Sequence, residues 1–221
     1  VPNLAARQLK AGLSTVLGLI IVEMGNPFYG GVTLGATQAA ATRELGLFTA
    51  SSELDAKREV QYLELFEQQR VRYILLVPCG VDTSAARVVA DRGTPVVLLD
   101  YLYTPGFCSV GADDFTGGKL AAEHLIEQGY ERITVVGDPA HAQVVNRHYG
   151  ALAAIEDYPN LTSSFIRTHG MTVSEGRRVG EEIAARPADQ RPDAVFATND
   201  MLAIGLLQAF TMLRTIRVPD D

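Results

Sequence analysis

The run Val16-Leu17-Gly18-Leu19-Ile20-Ile21-Val22, and the loop Glu23-Met24-Gly25-Asn26-Pro27-Phe28-Tyr29 that leaves it, decide how this chain is read. An apolar, β-branched-rich run bounded by turn residues reads as a strand buried on both faces, the kind found in parallel sheets. Ahead of it stands Val1-Pro2-Asn3-Leu4-Ala5-Ala6-Arg7-Gln8-Leu9-Lys10-Ala11-Gly12, a short helix-permitting segment that Asn3 can cap. In the loop, Pro27 can start a helix, and Phe28 and Tyr29 offer either flat ligand-binding faces or core contacts.

From that strand outward, strand and helix signals alternate. Helical spacing is read over about 30–45, with Val32, Ala36, Ala39, Ala40 and Arg43 on one face and Gly46 as the stop. A short strand at 47–51 precedes a helix that Asp55 caps, its Val60, Leu63 and Phe66 facing the core. Strands at 73–77, 95–99 and 108–110 surround a helix capped by Asp82 and ended by Gly93. The rhythm then repeats. A helix at 115–128 carries Leu120, Ala121, His124 and Leu125 on one stripe, and Gly129 stops it. Strands at 133–136, 164–167 and 194–197 alternate with helices at 144–155, 172–185 and 200–213.

Such alternation predicts an α/β fold of parallel sheets covered by helices, joined by right-handed crossovers. We expect two similar lobes, 15–112 and 113–221, with 1–14 as a hinge helix and linker. Arg217-Val218-Pro219-Asp220-Asp221 reads as the approach to another strand, and the chain begins at Val1 and not at Met. The sequence therefore reads as a fragment whose second lobe is incomplete, with an unpaired sheet edge.

Composition is that of an ordinary globular protein, 47% hydrophobic and 20% charged. No apolar run reaches the roughly 18–20 residues that span a bilayer, so no membrane partner is expected. The start lacks the basic-then-apolar order of a secretory signal, and Cys79 and Cys108 form neither a disulfide framework nor a metal-ligand spacing. A cytoplasmic location fits both features. The net charge of −7 argues against nucleic acid being bound over the whole surface. Residues 1–22, however, hold Arg7 and Lys10 and no carboxylate, so any contact with DNA belongs there.

In open α/β sheets, ligands bind beyond the carboxyl ends of the strands, where loops and helix N-termini converge. The rule selects Asn26, Phe28 and Tyr29 after the first strand, Asp100 and Tyr101 after Leu99, and Asp113 and Asp114 after Val110. It also selects His141, Gln143, Asn146 and Arg147 after Val136, His169 to Met171 after Arg167, and Thr198, Asn199 and Asp200 after Ala197. Planar polar groups beside aromatic faces suit a sugar, a sugar phosphate or a nucleobase-sized molecule. Each residue also has a plainer role: Asn199, Asp200, Asp113 and Asp114 suit helix caps, and Arg147 suits an ion pair.

Signals for catalysis are poor. No G-x-G-x-x-G follows the first strand, and no G-x-S-x-G elbow is present. Gly117-Gly118-Lys119 resembles the end of a phosphate loop, but Asp113 and Leu120 stand where that loop needs Gly and Ser or Thr. His124, His141, His148 and His169 lack zinc spacing. His124 reads as a packed helix residue. No cofactor, metal or enzymatic role is expected.

Several of these motifs, in this order, resemble the lactose-repressor/galactose-repressor family of bacterial transcription regulators. Pro2-Asn3-x-x-Ala6-x-x-Leu9 is similar to the family's hinge helix, and Asn26-Pro27-Phe28-Tyr29 to its first-lobe effector loop. Asp113-Asp114-x-x-Gly117-Gly118-x-x-Ala121-x-x-His124-Leu125-x-x-x-Gly129 resembles the segment entering the second lobe. Arg147-x-x-Gly150 resembles the arginine motif, and Thr198-Asn199-Asp200-x-x-Ala203-x-Gly205 the Asn-Asp motif. The resemblance implies a periplasmic-binding-protein-like fold and a homodimer whose two lobes hold an effector between them. Effector binding would then be coupled to operator affinity, as in a repressor.

By the resemblance, Asn3, Ala6, Arg7 and Leu9 would meet operator DNA through the hinge, together with a headpiece not in this sequence. Ligand contacts would fall on Phe28, Tyr29, Asp114, His141, Gln143, Arg147, Met171, Asn199 and Asp200. Met171 stands where these regulators often carry an aromatic residue, which puts a ring-stacking contact in doubt. Val71-Arg72-Tyr73 departs from the usual Val-Asp-Gly. The competing readings are a periplasmic sugar-binding protein of the same fold and a sugar-modifying α/β enzyme.

An isolated helix shorter than about 12 residues is marginal in water, so residues 3–11 are expected to become helical only on DNA. There, by the same resemblance, Leu9 would wedge into the minor groove and kink the duplex. In the full-length protein, Leu9→Ala should weaken specific operator binding and leave effector affinity nearly intact. A fluorescence-anisotropy titration with operator DNA checks this, and unchanged affinity would refute it.

Overall fold

The computed structural model describes residues 14–101, 105–214 and 216–220. The hinge positions Asn3, Ala6, Arg7 and Leu9 lie outside these. The chain divides into two compact units, Val1–Ala112 and Asp113–Asp221.

The first unit runs β1 (Val16–Ile21), α1 (Pro27–Ala41), β2 (Gly46–Ser51), α2 (Ala56–Gln68), β3 (Ile74–Leu76), α3 (Ser84–Asp91), β4 (Val96–Leu99) and β5 (Cys108–Val110). Its sheet has the order β2-β1-β3-β4-β5, and each neighbouring pair is parallel. β1 serves two cores at once. Ile20 packs with Leu63, Phe66, Ile74, Leu76 and Leu98, while Leu19, Ile21 and Val22 pack with Tyr29 and Val77. Alternate side chains enter opposite faces of a strand, so a run covered by helices on both sides must be apolar throughout.

The second unit runs α4 (Asp114–Glu127), β6 (Arg132–Gly137), α5 (Ala142–Ile155), β7 (Thr162–Arg167), α6 (Val173–Ala185), a 3₁₀ turn (Ala188–Gln190), β8 (Ala194–Ala197) and α7 (Asp200–Leu213). Its described sheet has the order β7-β6-β8, again parallel. The helices of this unit pack in pairs through small residues. A Cβ on Gly118 would fall on the carbonyl oxygen of Arg147, and one on Gly150 on the carbonyl oxygen of Phe115. Gly176 and Gly205 make the same kind of close approach between α6 and α7.

Some details differ from the sequence reading. The first helix ends at Ala41 and not near residue 45. Glu44 takes the left-handed conformation, φ 55°, that had been assigned to a glycine stop, and Gly46 instead begins β2, opposite Val16. On α4, Leu120 is 60% exposed and His124 is exposed too, while the buried face is Asp114, Gly118 and Ala122. That face touches a helix backbone at close range, which selects small residues over large apolar ones. Val60 and Ala39 are likewise exposed. Asp82 does not occupy the N-cap position of α3, which is Thr83; its carboxylate accepts from the Ser84 N–H at 2.9 Å.

Two neighbouring glycines on α4 should therefore behave in opposite ways. Gly117 has open space where its Cβ would go, so Gly117→Ala should stabilise by about 0.5–1 kcal/mol through helix propensity. Gly118→Ala should cost about 1–3 kcal/mol, because the α4 and α5 backbones must separate. Urea unfolding of the two variants checks the contrast.

Candidate functional site

Arg147 organises the rim of the second lobe. It sits in the second turn of α5, near the loop that leaves β6. Its Nε and Nη2 each donate to Asp114 Oδ1 at 2.8 Å, and Nη1 donates to the main-chain carbonyl of Thr198. The Asp114 side chain is 8% exposed and that of Arg147 is 30% exposed. A buried carboxylate needs hydrogen-bonding partners to offset its lost hydration, and the guanidinium supplies them. The Asp114 carboxylate holds the arginine.

Thr198 leads into Asn199, the N-cap of α7. The Asn199 Oδ1 accepts from the Leu202 N–H at 2.9 Å, and its Nδ2 donates to the Met171 carbonyl at 3.0 Å. The capping role offered by the sequence is present, at a position just past the carboxyl end of β8. Asp200 is exposed in the first turn of α7, where its charge meets the positive end of the helix. Met171 is buried in the core with Val136, Val144 and Val179, so its side chain fills the interior where a ring contact was in question. Asp114, Arg147, Asn199 and Met171 form one connected set through Thr198.

His141 and Gln143 begin α5. The His141 side chain does not cap the helix; its Nε2 is buried and has no partner among the described residues. Gln143 is half-buried in the first turn. Thr168, fully buried just beyond β7, has a hydroxyl that also lacks a described partner. Buried polar atoms are normally paired, so two orphans at one rim mark places for a polar ligand or water.

In the first lobe, Phe28 and Tyr29 separate in role. Asn26 caps α1 by accepting from the Phe28 N–H at 3.1 Å, and Pro27 takes the first helical position. Phe28 is 55% exposed and Tyr29 is 6% exposed, their rings meeting edge to face at 5.2 Å. Tyr29 is a core residue whose hydroxyl donates to Asp100 Oδ2 at 3.5 Å. Asp100 has φ 53° directly after β4, a left-handed conformation unusual for a residue with a side chain and often found at functional positions. Its place after a strand was readable; its backbone conformation was not.

A second cluster escaped the sequence reading. Glu59 on α2 is buried and accepts from the Cys79 N–H at 2.6 Å, while Cys79 Sγ donates to Ser52 Oγ at 3.0 Å. Glu59 lies on the apolar face of its helix beside Leu63 and Phe66, and that position was the available signal. Burial pushes the Cys79 thiol up to about 12, with the neighbouring Glu59 carboxylate acting in the same direction. Among the described residues, no group of three His, Cys, Asp or Glu is placed to hold a metal ion. No described helix is long and apolar enough to cross a membrane.

The profile of the family described as periplasmic binding proteins and sugar binding domain of LacI family matches residues 14–218. The chain belongs to this family. It is 29% identical over 221 residues to the ribose operon repressor of Bacillus subtilis (strain 168), a match covering all of this chain and 65% of that protein. The chain thus spans about 65% of the length of that curated relative.

Among solved structures, the Cra transcriptional dual regulator of Pseudomonas putida, in complex with fructose 1-phosphate, superposes with a TM-score of 0.82. The identity is 25%, over 93% of this chain and 75% of that one. An ABC transporter periplasmic solute binding protein from Actinobacillus succinogenes 130z, with bound D-allose, gives 0.78 at 23% identity, over 90% and 74% of the two chains. At that identity the likeness is one of fold: α/β, with parallel sheets covered by helices, of the periplasmic-binding-protein type.

The raised thiol has a direct consequence. Native Cys79 should alkylate at pH 8 on the order of a thousandfold more slowly than an ordinary thiol, because so little of it is thiolate. Cys108 is exposed and should label readily. Mass-spectrometric timing of iodoacetamide labelling, before and after unfolding in urea, checks the difference.

Proposed function

We propose that this chain is the effector-binding and dimerisation core of a bacterial DNA-binding transcriptional regulator, a repressor. Its effector is a small polar molecule of the sugar, sugar phosphate or nucleobase size class. The observation that carries this reading is the Arg147–Thr198–Asn199 network at the carboxyl rim of the second lobe, in a chain of this family. Arg147 keeps two of its five N–H donors outside the hydrogen bonds described above, and those suit ligand hydroxyl or acidic oxygens.

In this reading residues 1–14 are the hinge to a DNA-binding headpiece, 15–112 and 113–221 are the two lobes, and the protein acts in the cytoplasm without catalysing a reaction. Effector and operator each favour one of two states, so each changes the affinity for the other by the same factor. Operator half-sites match the two-fold symmetry of a homodimer. The outer side of α1 suits that contact. Pro27–Ala41 carries no charged residue, and Leu34 and Gln38 are exposed on it, so two copies of an acidic chain meet there without like-charge repulsion. The periplasmic solute-binding reading is the second choice, and the D-allose complex of the same fold favours it.

A thermal-shift screen of sugars, sugar phosphates and nucleobases on the full-length protein should identify an effector. Arg147→Ala should then cost about 1.5–3 kcal/mol of its affinity, the range for hydrogen bonds to a charged group. Calorimetry measures it, and a loss below about tenfold would return Arg147 to a purely structural role.

A further inference from the structure

We propose that the effector is an uncharged polyol, and that Asp114 sets this preference by cancelling the charge of Arg147. The inference rests on the reading of the rim as an effector site and narrows it to one charge class.

The fold does not choose between charged and uncharged sugars. One solved structure of this fold holds fructose 1-phosphate and another holds D-allose. The choice must therefore lie in the rim residues of each chain. Here the arginine nearest the loops after β6 and β8 is not an open cation. Both its Nε and its Nη2 lie 2.8 Å from one oxygen of a buried carboxylate. A phosphate drawn toward Arg147 would also meet the Asp114 charge, poorly screened because Asp114 is buried. The N–H groups that remain still donate to a neutral hydroxyl, since donation does not depend on net charge.

The rest of this rim points the same way. Arg178 is bound to Glu175 at 3.1 Å and lies 3.6 Å from Glu182. Asp138 follows β6 and Asp200 opens α7, so carboxylates as well as Arg167 stand just past or at the strand ends of this lobe. Carboxylates accept from sugar hydroxyls and repel phosphate. Two of the three buried side-chain atoms without described partners, His141 Nε2 and Thr168 Oγ1, belong to side chains that hydrogen-bond hydroxyls well; the third, Ser163 Oγ, lies within β7.

The test is calorimetric titration of the full-length protein with D-ribose, D-fructose and D-allose, and with ribose 5-phosphate and fructose 1-phosphate. The native protein should bind at least one neutral sugar about tenfold or more tightly than any phosphate in the set. Asp114→Asn should move that ratio about tenfold toward the phosphates, while Asp114→Glu should keep it. A purely structural role for Asp114 would lower both affinities together and leave the ratio unchanged, which would overturn the proposal. Preference of the native protein for a phosphate overturns it as well, and needs no variant, so a poorly folding Asp114→Asn does not block the decision. Failure of every sugar and phosphate to bind the native protein would refute the sugar-effector reading itself, and the proposal with it.

Discussion

The close approach of α4 and α5 is the constraint on which the second lobe depends. Gly118 lies against the Arg147 carbonyl and Gly150 against the Phe115 carbonyl, so each helix seats its backbone where the other has no side chain. At that separation an arginine on α5 reaches the first residue of α4 with hydrogen bonds of 2.8 Å. The same guanidinium bonds the carbonyl of Thr198, just past β8. Two helices and a strand end are thereby tied at one group. Asn199 carries the tie onward, capping α7 with one end of its amide and holding the Met171 carbonyl with the other. A larger residue at either glycine would not only strain the helix pair. It would draw Arg147 away from its carboxylate and loosen the whole rim.

The first lobe reaches a comparable arrangement by other means. Its strands are parallel, so their carboxyl ends emerge on one side, and the groups placed there follow from strand order. Buried Glu59 holds the chain just after β3 by its hydrogen bond to the Cys79 N–H. Ser52, just after β2, accepts from the Cys79 thiol and donates to the Ile21 carbonyl at the end of β1. Three strand ends are thus linked around side chains shielded from water. Asp100, held in a left-handed conformation after β4, completes this side next to the Tyr29 hydroxyl.

Much of the fold was legible because both-face burial leaves a plain trace. Runs such as Val16 to Val22 and Ile133 to Val136 are apolar without interruption, and Asp55, Thr172 and Asn199 announce helix starts through side-chain oxygens that do cap. What stayed hidden depends on tertiary approach. On α4 the large residue Leu120 drew attention, yet the packed face is Asp114, Gly118 and Ala122, because a helix backbone lies there. The end of α1 was misplaced because Glu44 adopts a conformation usually given to glycine. In the candidate site, the loop positions followed from strand ends alone. The partnership of Asp114 with Arg147 did not, since 33 residues and a strand separate them and only the register of α4 on α5 brings them together. Glu59 was passed over because a carboxylate on an apolar stripe looks like an exception until its backbone partner is seen.

Burying the Asp114–Arg147 ion pair is costly, and stability alone does not explain it. Two apolar residues of similar volume in place of Asp114 and Arg147 would often be neutral or stabilising. What such a replacement would lose is a cation fixed in direction. An arginine free to rotate would have to be ordered by each ligand at the expense of side-chain entropy, which for this residue type is up to about 2 kcal/mol. Held by Asp114 on one side and by the Thr198 carbonyl on the other, its remaining donors are already oriented before anything binds. In the proposed effector site that preorganisation would favour affinity, and the carboxylate that supplies it would also limit the charge accepted. Orientation and charge selection therefore come from the same bond and cannot be separated by changing Arg147 alone; they separate only at Asp114, where Asn keeps an acceptor for the guanidinium and removes the charge.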